Sequence, residues 1–106
     1  MYFEANVNWI RSEYGGRSQL PVAGLRPGIR FQRYIREWLN ETRDVEIVGL
    51  EIDKLTWQSK VIIQFVRDHP SNREYAKIDE FFELLDGFRV IGVGKITGTK
   101  KRTGPE

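Results

Sequence analysis

The sequence has no cysteine, a single histidine and a single methionine in its 106 residues. Without cysteine there is no disulfide, no thiolate metal site and no cysteine nucleophile, a composition that suits a reducing compartment. No apolar run approaches the ~20 residues that a membrane-spanning helix needs. The N-terminal stretch lacks a basic segment followed by an apolar run, so no secretory signal is expected. The expected location is the cytoplasm, with no membrane partner. The Gly-x-x-x-x-Gly-Lys-Ser/Thr phosphate loop is missing, so no nucleotide is expected. Gly92-Val93-Gly94 does not replace it, because it lies inside a strand-like run with no helix after it.

Catalytic groups are equally scarce. His69 is the only histidine. Its sequence neighbour Asp68 is not placed to orient it as a general base, and a turn histidine that packs on or caps a loop is the simpler reading. Asp79, Glu80 and Glu83 lack the spacing and the glycine of a calcium loop and read as a solvated edge. No enzyme activity, no metal and no cofactor is expected.

What the chain does contain is ordinary for one globular domain: 40% hydrophobic and 30% charged residues, in a length that can bury a core without metal or disulfide. The stretch from Tyr2 to Phe31 organises the rest. Phe3, Ala5, Val7 and Trp9 alternate with Glu4, Asn6 and Asn8, which predicts a strand with one buried face. Gly15-Gly16 marks a turn in which paired glycines take positive φ. Pro21, Gly24, Pro27 and Gly28 redirect the chain without a helix. Extended structure resumes at Ile29-Arg30-Phe31.

Residues 31–44 read two ways. Phe31, Ile35, Trp38 and Leu39 have helical spacing, whereas Ile29, Phe31 and Ile35 share a strand face; the preferred reading is a strand through about Tyr34, then a turn or one helical turn. Val45–Ile52 is β-rich, with Gly49 marking a bulge or bend. Residues 53–59 read as a connection with a buried Trp57. Lys60–Val66 is a strand with Val61, Ile63 and Phe65 on one face. Phe81–Leu85 and Phe88–Thr97 pair across an Asp86-Gly87 turn. Gly92 and Gly94 leave one strand face bare for a ring such as Trp9, Phe31, Trp57 or Phe65. The sum is an all-β fold, a small closed antiparallel barrel of about six strands. It spans residues 1–98 as a single domain, with 99–106 as a flexible basic tail. Phe3, Trp9, Phe31, Phe65 and Val90 are expected inside.

Phe3, Ala5 and Val7, then Gly15-Gly16-Arg17, Pro21-Val22, Gly24-x-Arg26-Pro27 and Phe31, form an ordered set. With His69-Pro70 and Gly87-Phe88-Arg89-Val90-Ile91-Gly92-Val93-Gly94, it resembles the C-terminal β-barrel domain of translation elongation factor Tu. The likeness covers residues 2–98 and is thinnest over 32–60. It implies that barrel alone, without the GTPase domain. It also implies contact with the backbone of the tRNA T stem, read by helix shape. Two departures bear on that surface: Gly28 stands where the family has a glutamine, and Gln32-Arg33-Tyr34 replaces a threonine-rich stretch.

Charge is segregated along the chain. Residues 1–36 hold six Arg and two Glu, residues 37–86 six basic and twelve acidic groups, and residues 87–106 five basic and one acidic. If the two ends lie side by side they form one basic surface of about +8 before screening. The candidate RNA-binding residues are Arg17, Arg26, Arg30, Arg33 and Arg36, with Lys95, Lys100, Lys101 and Arg102. Arginine suits phosphate because its planar guanidinium engages two oxygens at once. The expected function is a non-catalytic binding module for RNA, tRNA in particular. The alternative is a protein-interaction module that binds or mimics part of a translation factor.

Overall fold

The alternation at the N-terminus becomes β1 (Tyr2–Trp9), with Phe3, Ala5, Val7 and Trp9 buried and Asn6 and Asn8 exposed. The computed structural model describes residues 2–32 and 42–100. Five more strands follow: β2 (Gly28–Phe31), β3 (Arg43–Ile52), β4 (Gln58–Phe65), β5 (Phe81–Asp86) and β6 (Arg89–Lys100). They close into a barrel in the order β1-β4-β3-β2-β5-β6, with every pair antiparallel. A short 3₁₀ turn (Ser12–Tyr14) and one helical turn, α1 (Asn72–Tyr75), complete the described elements. No helix among the described residues is long and apolar enough to cross a membrane.

Closure follows from burial. Each strand puts an alternate row of large apolar side chains inside, and a closed sheet covers that row without exposing an unpaired edge. Phe3, Phe31, Phe65 and Phe82 form a ring of rings, with centroid separations of 5.7, 6.0, 6.3 and 6.3 Å. These tilted and edge-on geometries suit the aromatic quadrupole. Tyr75 of α1 stacks on Phe31 at 6.1 Å and closes that end.

Nearer the other end, the Trp9 Nε1–H donates to the Ser59 hydroxyl at 2.7 Å, and both residues are buried. Ser59→Ala would orphan a buried indole N–H. It should lower the unfolding free energy by about 1–2 kcal/mol, read by urea denaturation.

The two glycines in β6 do what the sequence suggests, with one change of partner. A Cβ on Gly92 would lie 3.1 Å from Val7 Cγ1 and 3.3 Å from the Trp9 ring. On Gly94 it would lie 2.5 Å from Phe82 Cζ and 2.8 Å from the Asn6 carbonyl. Trp9 is among the expected rings; Phe82, which presses hardest, is not.

Several boundaries and placements differ from expectation. β1 and β2 are not neighbours: residues 10–27 cross one end of the barrel, then run beside β3, where Gly24 N–H bonds the Ile47 carbonyl at 2.7 Å. Of the paired glycines only Gly15 has positive φ, at 88°. Gly16 is needed for space, since a Cβ there would meet the Ile10 carbonyl oxygen at 1.8 Å. β2 ends at Phe31, short of Tyr34; the helix-or-strand question over 33–41 lies outside the described residues.

Gly49 does mark a register shift, between Ile47 and Gly49. A second shift makes Ile91 an extra residue opposite Leu84 and Leu85, so Ile91 is buried and Val90 is only half-buried. Trp57 is half-buried rather than buried, and holds φ at 61°. β6 runs on through Thr99 and Lys100, paired with Phe3 and Tyr2, so the barrel extends past residue 98.

Candidate nucleic-acid interface

Strand registers sort the connections between two ends. Trp9 lies opposite Gly92 and Asn8 opposite Gln58, so residues 10–17, the 53–57 turn and the 87–88 hairpin gather at one end, called here the loop end. Tyr2 pairs with Gln64 and with Lys100, so α1 and its flanking turns belong to the opposite end.

Four of the cations singled out in the sequence have described side chains. Arg26 Nε meets Glu46 Oε1 at 2.9 Å. Arg30 and Glu83, opposite each other on β2 and β5, are paired at 3.1 Å with their side chains 19% and 24% exposed. Lys95 reaches Asp79 at 3.3 Å and sits 5.6 Å from the Phe81 ring. Each of these three therefore has a carboxylate partner from the acidic middle of the chain. Arg17 differs: its Nε donates to the Gln19 carbonyl at 3.3 Å, and it forms no ion pair among the described residues. Arg33, Arg36, Lys101 and Arg102 lie outside the described residues, and of Lys100 only the backbone is described. The two ends of the chain do meet, since β1 and β6 pair directly. The charges they carry are nevertheless spread around the barrel and interleaved with acids.

Arg17 lines a cleft of about 330 Å³ beside the base of the β5–β6 hairpin, together with Arg26, Asp44, Asp86 and Gly87. The loop end around it is tied together by two further arginines. Arg89 Nη1 donates to the Gly16 carbonyl at 3.4 Å, linking the hairpin to the 12–16 turn. Arg11 donates to the Leu55 carbonyl, and its guanidinium lies 5.2 Å above the Trp57 ring, linking the 53–57 turn to the same segment. Arg89 was not among the sequence candidates. Its signal was available, since it sits directly after the hairpin turn.

Three large apolar side chains stand out on these tied loops: Phe88 fully exposed, Leu55 85% and Tyr14 79% exposed. The β5–β6 connection is a two-residue turn, Gly87-Phe88, because Asp86 pairs with Arg89. Gly87 takes φ 62° there. Placing the turn one residue earlier, at Asp86-Gly87, hides Phe88 inside a strand, which is how the sequence conceals it.

His69 is exposed. Its Nδ1 accepts the Ser71 backbone N–H at 3.1 Å and lies 2.7 Å from the Ser71 hydroxyl, a local bond that shapes the approach to α1. No group of three or more His, Cys, Asp or Glu side chains among the described residues is placed to hold a metal. Searches against models of known protein families and against curated proteins return no match to this chain.

Proposed function

We propose that the chain is a stand-alone barrel of the elongation factor Tu C-terminal kind, acting as a non-catalytic RNA-binding module through its loop end. The kinship is supported by where its motif residues fall. Gly15 has the positive φ its turn uses, and Gly16 is packed against the Ile10 carbonyl. Phe31 lies in the ring cluster, and Gly92 and Gly94 admit Trp9 and Phe82.

The observation that carries the binding assignment is Arg17. Of the four sequence candidates with described side chains, it is the one without a carboxylate partner, and it lines a cleft. Phosphate groups seek such a guanidinium, whereas a guanidinium already bonded to a carboxylate gains little from exchanging partners. The contact surface is therefore the loop end, not the sheet face through Arg30 and Lys95.

Bulk tRNA should be retarded by the protein in a native gel at low salt, with the shift fading by about 200 mM salt. Arg17→Ala should weaken binding several-fold and reduce the salt slope by about one phosphate contact. The charge-neutral pair Arg30→Gln with Glu83→Gln should leave binding unchanged. No retardation at low salt would refute the assignment.

A further inference from the structure

The loop end carries more than charge. Turn positions favour Gly, Asn, Asp and Ser, which serve the backbone geometry. Here Phe88 occupies the second position of a two-residue hairpin turn, Leu55 the 53–57 turn and Tyr14 a 3₁₀ turn. Nothing in the barrel needs these side chains, since all three are exposed. Each is also flanked by cations: Tyr14 by Arg11 and Arg17, Leu55 by Lys54, Phe88 by Arg89. Arg17, Lys54 and Arg89 form no ion pair among the described residues. The acids nearby are Glu13, which lies 4.0 Å from Arg11; Asp44 and Asp86, which line the Arg17 cleft; and Asp53, whose Oδ1 accepts the Leu55 and Thr56 N–H groups at 2.8 and 3.3 Å.

We infer that the loop end takes unpaired RNA, with bases stacked on Phe88 and Tyr14 and the intervening phosphates held at Arg17 and Arg89. This rests on the RNA-binding assignment above and specifies the form of RNA. The rings stand out on loop tips, and a stacked duplex presents no free base face to a protruding ring; a single strand does. A protein hot spot would instead gather its apolar groups in one patch with lysine excluded from the centre. Interleaved rings and cations are what a single strand requires, because each nucleotide brings one π-face and one phosphate. Gly87, the turn residue next to Phe88, lines the same cleft as Arg17, together with Asp44 and Asp86.

The test is fluorescence anisotropy with a labelled 12-nucleotide single-stranded RNA and a blunt RNA duplex of the same length, at low salt. The single strand should bind about tenfold more tightly than the duplex. Phe88→Ala and Tyr14→Ala should each weaken single-strand binding about tenfold, the scale of one lost base–ring stack. Phe88→Trp should restore it. Phe88 is fully exposed, so its variants should melt with the parent. Equal binding of strand and duplex, or unchanged affinity in Phe88→Ala and Tyr14→Ala, overturns the inference while leaving RNA binding in place. Failure to bind either RNA removes both. Sedimentation with phosphatidylserine vesicles in place of RNA binding overturns both and assigns the tips to a lipid surface.

Discussion

Phe31→Ala is expected to be among the most damaging single changes in the chain, lowering the unfolding free energy by about 3–5 kcal/mol. Phe31 is the last residue of the shortest strand, and β2 has four residues to hold its place between β3 and β5. Its ring is fully buried and packs on Phe65, Phe82 and Tyr75. Truncation removes the transfer free energy of the ring, opens a cavity that its three aromatic neighbours cannot fill by small shifts, and frees Tyr75 from its stack. Total stability for a domain of this size is about 5–15 kcal/mol, so the variant stands near the folding threshold. The melting temperature should fall by on the order of 20 °C. Urea denaturation with an unchanged slope would assign the loss to stability rather than to a change in the compactness of either state. A loss below about 1 kcal/mol would mean that the ring cluster does not hold β2.

Gly94→Ala is expected to cost close to 3 kcal/mol, the upper part of the usual range for overpacking. The added carbon would stand 2.5 Å from Phe82 Cζ and 2.8 Å from the Asn6 backbone carbonyl. The first neighbour is a ring edge that can be shortened; the second belongs to β1 and can give only if the β1–β6 pairing shifts. Phe82→Leu in the Gly94→Ala background should therefore recover part of the loss but not all of it. The cycle should yield a coupling of about 1 kcal/mol or more, since the two residues share a contact. Gly92→Ala should cost less, because its carbon would meet Val7 Cγ1 at 3.1 Å and the Trp9 ring at 3.3 Å, side-chain atoms that can yield.

The barrel was legible where burial is periodic. β1 and β4 expose one row and bury the other without interruption, and alternation alone identifies them. It fails in β6, where the extra residue at Ile91 shifts the phase: Val90 turns half out, Ile91 goes in, and a strict period of two misassigns both. The turn at Gly87 was misplaced by one residue for a related reason. Asp-Gly and Gly-x are both two-residue turn signals, and only the pairing of Asp86 with Arg89 decides between them.

The candidate site was less legible, and charge order explains why. Along the chain the cations sit at the ends and the acids in the middle, which suggests one basic face. The strand order sets β2 against β5, and so Arg30 against Glu83. The segment before β2 runs beside β3, which brings Arg26 to Glu46, and the turn before β5 brings Asp79 to Lys95. Segregation in sequence thus becomes alternation in space for these three pairs, and Arg17, the candidate left over, sits on a loop. Arg17 is a candidate from sequence as one of the arginines of the basic N-terminal segment, and among the described residues it is the one of these left without a carboxylate partner. Arg89 was legible beside its hairpin turn, whereas Tyr14 and Phe88 required the fold.

The pairing of Tyr2 with Lys100 has a mechanical consequence. Because β1 and β6 are antiparallel and these residues lie together at one end, tension applied at that pair loads the ladder bonds in turn. The seam peels open like a zip instead of resisting in shear. A tether fixed at those two positions would release the barrel under low force, while a pull between Tyr2 and the hairpin tip at Phe88 would run along the strands and load many bonds at once.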